Sequence, residues 1–226
     1  MKNKKALIYI IAAGVLLLAF AALTVALVCV DVQEAGESQA PVGFATLNGA
    51  VFEAIGQDGI CLKMSELCGA LMIAAVGAFG VLGLVQVIRR KGILRADREL
   101  YFMAGGLVLL AAAYVLFEIL VINYRPVLED GALAASYPSS HTMLAVAVAG
   151  MGAIYLLRRF KPKIWHGSLG AVLIGLACVT VTLRLFSGVH WLTDIVGGLL
   201  LGGVIVAAYG VACALWGKKK EQGNEG

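Results

Sequence analysis

The sequence predicts an all-α fold, a polytopic membrane bundle of six transmembrane helices that forms a single domain over residues 1–216. Of the 226 residues, 61% are hydrophobic and only 14% are charged, and the mean hydropathy is +0.91. Soluble domains carry about 25% charged residues, so this composition indicates an integral membrane protein. Six apolar runs can each form a membrane helix, at about 6–30, 64–88, 100–122, 141–157, 164–186 and 191–216.

The first apolar run, from Ala6 to Val30, follows a basic start. At a rise of about 1.5 Å per residue it spans roughly 37 Å, which is enough to cross a bilayer. A cleaved signal peptide has a similar basic start, but its apolar core covers only about 7–15 residues. We therefore interpret this run as a retained helix.

The acidic segment 31–63 separates the first two runs and is expected on the outer side of the membrane. Within it, Phe44, Leu47, Val51 and Ile55 recur at helical spacing. We expect a helix there, and two interpretations are open. The helix rests on the bundle, or it lies in the interface and borders a path for lipid access.

Glycines recur in the second and sixth runs. Gly77, Gly80 and Gly83 lie in the second run, and Gly198 and Gly202 lie four residues apart in the sixth. Small residues allow membrane helices to approach each other closely. We therefore expect these glycines at contacts between helices.

The basic residues indicate the topology. All but three of the 18 Lys and Arg residues lie before the first run, between runs two and three, between runs four and five, or after the sixth. The positive-inside rule places these segments and both termini in the cytoplasm, with residues 217–226 as a disordered tail. The net charge of +4 therefore reports topology, and no nucleic-acid partner is expected. The exceptions, Lys63, Arg125 and Arg184, fall on the outer side.

The histidines and cysteines show no spacing that is typical of a zinc site, so we expect no metal ion and no cofactor. His166 lies beside Trp165 between the fourth and fifth runs. We expect this histidine at the cytoplasmic membrane interface and not in a catalytic site.

Three polar stretches lie at the outer ends of the third to sixth helices. They run from Asn123 to Pro126, from Pro138 to His141, and from Arg184 to Asp194. Ionisable groups are costly in a membrane-spanning chain, and their presence there indicates function. Because four helix ends on one side of the membrane can surround one pocket, we expect these stretches to form a single site.

The side chains in these stretches suit phosphoryl transfer to a histidine. Arg125 and Arg184 offer planar guanidinium groups that bind phosphate oxygens in pairs. His190 is the expected nucleophile, and Asp194 would orient it through the other ring nitrogen. His141 would protonate the leaving oxygen and then activate the water that releases phosphate.

Ser139 and Ser140 precede the fourth apolar run and would donate hydrogen bonds to the phosphate. Each site residue also has a purely structural interpretation. A serine can cap a helix, a His–Asp pair four apart can be a structural hydrogen bond, and an arginine can reach lipid headgroups. Their joint placement at one side of the membrane favours catalysis.

The three stretches resemble the signature motifs of the type 2 phosphatidic acid phosphatase (PAP2) family. In that family a lysine lies seven residues before Arg-Pro, Pro-Ser-Gly-His follows, and Ser-Arg precedes a His and then an Asp by fixed intervals. The matching residues are Arg125, Pro126, Pro138, Ser139, His141, Arg184, His190 and Asp194. The resemblance covers the third to sixth helices and implies a PAP2-like bundle.

The resemblance implies a metal-independent phosphatase of the plasma membrane, which acts at the outer face on a membrane lipid phosphate or diphosphate through a phosphohistidine intermediate. Undecaprenyl diphosphate, phosphatidic acid and phosphatidylglycerol phosphate are the candidate substrates. The alternative is a non-catalytic or weakly active PAP2-like protein that binds lipid phosphates in the bilayer.

Three positions depart from the family pattern: Glu118 replaces the lysine, Ser140 the glycine, and Leu183 the serine before Arg184. Glu118 is the most consequential, because a fixed negative charge near a phosphate is repulsive. Three outcomes are open. Glu118 pairs with Arg125, desolvation keeps it protonated, or the activity is lost or altered.

Overall fold

The structure is a computed structural model that describes residues 2–37, 39–129, 131–159 and 164–216, without the side chains of residues 2, 3 and 164–167. The tail 217–226 and the side chain of His166 therefore lie outside the described part. The helices are α1 (Lys2–Leu27), α2 (Ala45–Ile55), α3 (Gly59–Arg89), α4 (Arg98–Ile119), α5 (Ser140–Arg159), α6 (Ile164–Phe186) and α7 (Leu192–Trp216). Two strands, β1 (Gln33–Ala35) and β2 (Ala40–Val42), form an antiparallel hairpin, and residues Ile93–Arg95 form a short 3-10 turn.

Six of the described helices, all except α2, are long and apolar enough to cross a membrane. This confirms the predicted all-α bundle with six spans. The second span begins earlier than the apolar run indicated, because Asp58 caps α3. The Asp58 carboxylate accepts hydrogen bonds from the backbone N–H groups of Ile60 (2.7 Å) and Cys61 (3.1 Å).

Helix α5 lies at the centre of the bundle and packs against α3, α4, α6 and α7. Its buried face combines alanines with larger side chains, among them Met143 and Met151, which are almost fully enclosed. Small residues on α5 allow its neighbours to approach, and the methionines fill the irregular gaps between them. Helix α1 packs along α7 on the outside of this core.

The predicted loop helix is α2, and it rests on the bundle through a polar contact. Its buried residues are Ala45 and Asn48, whereas Leu47 of the apolar stripe is exposed. The Asn48 amide donates hydrogen bonds to Gly43 O (2.8 Å) and to Thr193 Oγ1 (2.9 Å), and its oxygen accepts one from Thr193 N (3.2 Å). The loop is therefore anchored to the start of α7.

The expected role of the glycines holds for α7 and fails for part of α3. A Cβ on Gly198 would lie 2.8 Å from Ser139 O, and one on Gly202 would lie 3.0 Å from Met143 O. A Cβ on Gly77 or Gly80 would meet no described atom within 4 Å. The α7 glycines therefore permit the close contact with α5, whereas Gly77 and Gly80 lie at no described helix contact.

An ion cluster, the Asp97 cluster, joins the helices at one end of the bundle. The Asp97 carboxylate accepts hydrogen bonds from Gln86 (3.0 Å) on α3, from Tyr155 (3.0 Å) on α5, and from Arg90 (2.9 Å), and it also pairs with Arg159. Glu99 belongs to the same cluster and is fully buried, 3.8 Å from Arg158 and 4.0 Å from Arg159. Some of the arginines that we used to predict the topology therefore also connect helix ends through ion pairs.

Candidate active site

The predicted site residues converge at the end of the bundle opposite the Asp97 cluster, which we call the site end. The segment between α4 and α5 folds back on itself through hydrogen bonds from Arg125 N to Ala134 O (3.0 Å) and from Ser136 N to Asn123 O (2.9 Å). This reversal brings Arg125 and the residues that precede α5 beside the turn between α6 and α7. In that turn Gly188 has a φ of +69°, and a Cβ there would lie 2.7 Å from Gly56 O, so both conformation and space favour glycine.

His190 lies in this turn and is only 4% exposed. Its Nδ1 is 3.0 Å from Ser136 Oγ, and the Ser136 hydroxyl donates a short hydrogen bond to Asp194 Oδ2. The Nδ1 atom of His190 is 3.8 Å from Asp194 Oδ2, beyond hydrogen-bond distance. The predicted direct contact between Asp194 and His190 is thus replaced by a contact through Ser136.

This relay fixes the tautomer of His190. A hydroxyl has one hydrogen, and that of Ser136 is directed to the Asp194 carboxylate. The oxygen of Ser136 must then accept a hydrogen bond from Nδ1–H of His190. The lone pair is left on Nε2, which is buried and has no hydrogen-bond partner among the described residues. Nε2 is therefore the atom that is free to react.

Burial lowers the pKa of His190, because an enclosed imidazolium loses its hydration. The negative charge of Asp194 raises the pKa of His190, whereas the positive charges of Arg184 and Arg125 lower it further. The net effect favours a neutral imidazole, which is the form that a nucleophile requires.

Asp194 lies in the first turn of α7 and is fully buried. Besides Ser136, its carboxylate accepts hydrogen bonds from Trp191 N (2.9 Å) and from Asn123 Nδ2 (3.4 Å). The Asn123 oxygen accepts one from Gly43 N (3.1 Å). Asp194 therefore caps the start of its own helix, and this additional role explains why its carboxylate does not lie directly against the imidazole.

The two arginines are held in different ways. Arg184, in the last turn of α6, is 3% exposed and donates to Ser65 Oγ on α3 (3.2 Å), while its Nε has no partner among the described residues. Arg125 is partly exposed, donates to Ala135 O (3.3 Å), and pairs with Glu129 (3.0 Å). Both guanidinium groups thus retain N–H groups for an anion.

The start of α5 supplies the remaining predicted residues. Ser139 precedes the helix and is buried, and its hydroxyl has no partner among the described residues. Its backbone N–H donates to Asp194 O (3.0 Å). Ser140 is the first residue of α5 and lines a small pocket together with Arg125 and His190.

His141 faces an apolar groove with a cavity volume of about 590 Å³. Ser140 lines both this groove and the small pocket, so the two spaces adjoin. The groove lies between α3, α4 and α5, and its lining includes Gly69, Ile73, Leu107, Tyr114, His141 and Leu144. Helix α2 contributes no residue to this lining. Among the described residues, no three His, Cys, Asp or Glu side chains converge as a metal site would require.

A family model described as the PAP2 superfamily matches residues 68–217 of the sequence. The chain belongs to the PAP2 superfamily. This confirms the resemblance, and the matched range contains all three signature stretches.

Two comparisons extend this assignment. The chain is 30% identical over 81 residues to the phosphatidylglycerophosphatase B of Bacillus subtilis (strain 168), and the aligned stretch covers 35% of this chain and 39% of that protein. The fold is similar to the crystal structure of a transmembrane PAP2-type phosphatidylglycerolphosphate phosphatase from Bacillus subtilis. The TM-score is 0.62 with 19% identity, over 86% of this chain and 92% of the other.

Glu118 is the main departure from the PAP2 pattern, and it lines the small pocket with Arg125 and His190. Arg125 pairs with Glu129, so the first suggested role for Glu118, as the partner of Arg125, is not observed. Glu118 is exposed, so it does not lie in the desolvated surroundings that the second suggested role assumed. The third outcome, a lost or altered activity, stays a prediction.

Two residues with roles in the site were missed from the sequence. Ser136 precedes the Pro-Ser-Ser-His stretch by two residues, and Asn123 lies within the first stretch but was given no role. Their only signal was polarity close to the PAP2 motifs. What distinguishes them from the neighbouring polar residues is their contact with Asp194, which is distant in sequence.

Proposed function

We propose that this PAP2 protein is a membrane phosphatase that hydrolyses a lipid phosphate or diphosphate through a phosphohistidine on His190. The observation that carries the proposal is the contact of Asp194 through Ser136 with Nδ1 of His190, together with a buried Nε2 that has no hydrogen-bond partner among the described residues. Simple anion binding requires donors, and an unprotonated ring nitrogen is an acceptor. The arrangement therefore suits attack on phosphorus.

In the first step, Nε2 of His190 attacks phosphorus, the N–P bond forms, and the bond to the leaving oxygen breaks. His141 gives its proton to that oxygen. Arg125 and Arg184, with the Ser139 hydroxyl, bind the phosphoryl oxygens and stabilise the charge that spreads over them. The positive charge that develops on the imidazole is balanced by Asp194 through Ser136.

In the second step, the now neutral His141 takes a proton from water, whose oxygen attacks phosphorus. The N–P bond breaks, phosphate leaves, and Nε2 recovers its lone pair. Both catalytic histidines return to their starting protonation states, so the cycle closes without a further reactant. Because Arg125 and Arg184 provide the cationic charge, we propose that the reaction does not depend on a metal ion.

The apolar groove beside His141 supports a lipid substrate over a water-soluble phosphate ester. The leaving group lies on the side of the residue that protonates it, and on that side the groove offers about 590 Å³ lined largely by hydrocarbon. We propose that a lipid chain occupies it. The Bacillus relative is named a phosphatidylglycerophosphatase, which favours phosphatidylglycerol phosphate among the candidates beside phosphatidic acid and undecaprenyl diphosphate.

We propose that the site end faces the outside of the cell and that both termini are cytoplasmic. The argument is the uneven distribution of charge. The described basic residues at the Asp97 end include Arg89, Arg90, Arg95, Arg98, Arg158 and Arg159. The positive-inside rule places that end in the cytoplasm.

A second candidate function is lipid-phosphate binding with little or no hydrolysis. Glu118 favours it, because an exposed carboxylate in the pocket opposes the approach of a phosphate dianion. Phosphate release from lipid micelles distinguishes the two functions. We expect release by the purified protein in EDTA, its loss in His190→Ala, and its retention in His166→Ala. Unchanged release in His190→Ala would exclude the proposed nucleophile, and no release from any of the three lipids would support the binding function.

A further inference from the structure

We propose that Glu118 selects phosphate esters whose leaving group carries a protonated amine close to the ester oxygen. The inference rests on the proposed phosphatase function and deepens it by naming a substrate class. A long-chain 2-aminoalkyl phosphate belongs to this class, whereas phosphatidic acid, with an uncharged diacylglycerol leaving group, does not.

The position of Glu118 places it beside the route of the leaving group. Glu118 lies in the last turn of α4, and Tyr114 lies four residues earlier, on the same face of the helix. Tyr114 lines both the apolar groove and the small pocket, and Glu118 lines the pocket with His190. A lipid that extends from the groove to Nε2 of His190 therefore passes Tyr114 and then Glu118.

The carboxylate of Glu118 has no cationic partner in the described part of the protein. Arg125 pairs with Glu129 at 3.0 Å, and Arg184 donates to Ser65 Oγ at 3.2 Å. Glu118 itself forms no ion pair among the described residues. The sequence contains no lysine from position 92 to position 160. The charge of Glu118 is thus available to a bound molecule.

The chemistry of the pocket determines what that molecule should carry. A phosphate dianion and a carboxylate repel each other when they share a pocket. An ammonium group two carbons from the ester oxygen would lie between the two anions and attract both. A neutral leaving group brings no such compensation. The PAP2 pattern has a lysine at this position, which binds the phosphate itself. Glu118 has the opposite charge, so it would attract an ammonium group beside the phosphate.

Sphinganine 1-phosphate and its N-acetyl derivative test the proposal in detergent micelles, because acetylation removes the positive charge while the phosphate and long chain remain. For the native protein we expect kcat/KM to be about tenfold higher for the amine than for the amide, a ratio equivalent to about 1.4 kcal/mol. In Glu118→Gln the ratio should fall at least threefold, and in Glu118→Lys the amide should become the better substrate. Glu53→Gln removes an exposed carboxylate on α2, outside the pocket, and should keep the native ratio.

The comparison with Glu118→Gln separates selection by the carboxylate from any intrinsic effect of the amine on the leaving group. Equal ratios in the native protein and Glu118→Gln would overturn the inference while leaving the phosphatase function intact. The inference would also be overturned if added Mg²⁺ raised kcat/KM for the amide to the value for the amine. Glu118 would then bind a metal ion that assists any phosphate substrate. If the protein hydrolysed none of the two probes and the three candidate lipids (phosphatidic acid, phosphatidylglycerol phosphate and undecaprenyl diphosphate), the proposed function would be rejected, and the inference with it.

Discussion

The imidazole of His141 lies directly against the backbone of Gly69 on α3. A Cβ on Gly69 would be 2.8 Å from Cδ2 and 3.2 Å from Nε2 of His141. Gly69→Ala should therefore displace the imidazole without touching the phosphate. Because a misplacement of about 1 Å can cost roughly 100-fold in rate, we expect kcat to fall by about 10- to 100-fold.

Gly77→Ala is the matched control for this prediction, since it changes the same helix at a position where a Cβ meets no described atom within 4 Å. Alanine is also the better helix former. We expect native kcat in Gly77→Ala and a normal thermal midpoint in both variants. Equal kcat values for the two variants would show that the His141 contact does not control its position.

Ser136→Ala should slow phosphorylation of His190 by about 100-fold, because the ring loses the contact that holds its tautomer. Rapid-quench measurement of the phosphoenzyme gives the rate. If Asp194 acts through Ser136, the loss in Ser136→Ala/Asp194→Asn should be much smaller than the product of the two single losses. Multiplicative losses would mean that the two residues act independently.

The lowered pKa of His190 predicts an acid shift in its reactivity. The proton binds only at a more acidic pH, so the neutral ring should be fully reactive above the lowered pKa and lose reactivity as the pH falls through it. The rate of modification by diethyl pyrocarbonate, followed by peptide mass spectrometry, measures the reactivity of the His190 ring at each pH. No substrate is present, so the titration of a substrate phosphate does not contribute. We expect a midpoint below about 6.5, the ordinary value. A histidine-containing peptide is the reference, and a midpoint at or above that of the peptide would contradict the prediction.

Asn48→Ala should destabilise the protein by about 2–3 kcal/mol, because it leaves Gly43 O and the Thr193 backbone N–H without their partners in a buried contact. The thermal midpoint in detergent should fall accordingly. Leu47→Ala, on the exposed side of the same helix, should change stability by about 0.5 kcal/mol or less. Equal shifts in the two variants would show that α2 is not anchored through Asn48.

The sequence predicted the features that depend on local pattern. Apolar runs define the spans because every backbone polar group in a bilayer must be satisfied within a helix. The motif spacing located Arg125, Ser139, His141, Arg184, His190 and Asp194, and the structure brings the segments that carry them to one end of the bundle. Their proposed chemical roles stay predictions.

The features that depend on distant contacts were not predictable. Ser136 is one serine among several until Asp194 is placed beside it, and Gly77 cannot be distinguished from Gly198 without the neighbouring helix. Asp97 and Glu99 were given no role from the sequence, yet they are buried and lie beside arginines at the end of the bundle. In each case the deciding partner comes from another part of the chain.

The contacts among α3, α4 and α5 are unevenly distributed along the bundle. Asp97 joins the helices at one end through Gln86 and Tyr155, whereas at the site end the same helices are separated by the apolar groove. The three helices are thus held together at the Asp97 end and stand apart beside His141. In the proposed function, a lipid chain would occupy the groove while the hydrogen bonds of Asp97 stay formed. Under that proposal, exchange of substrate and product at the groove would break none of the contacts of Asp97, which would hold the three helices together throughout.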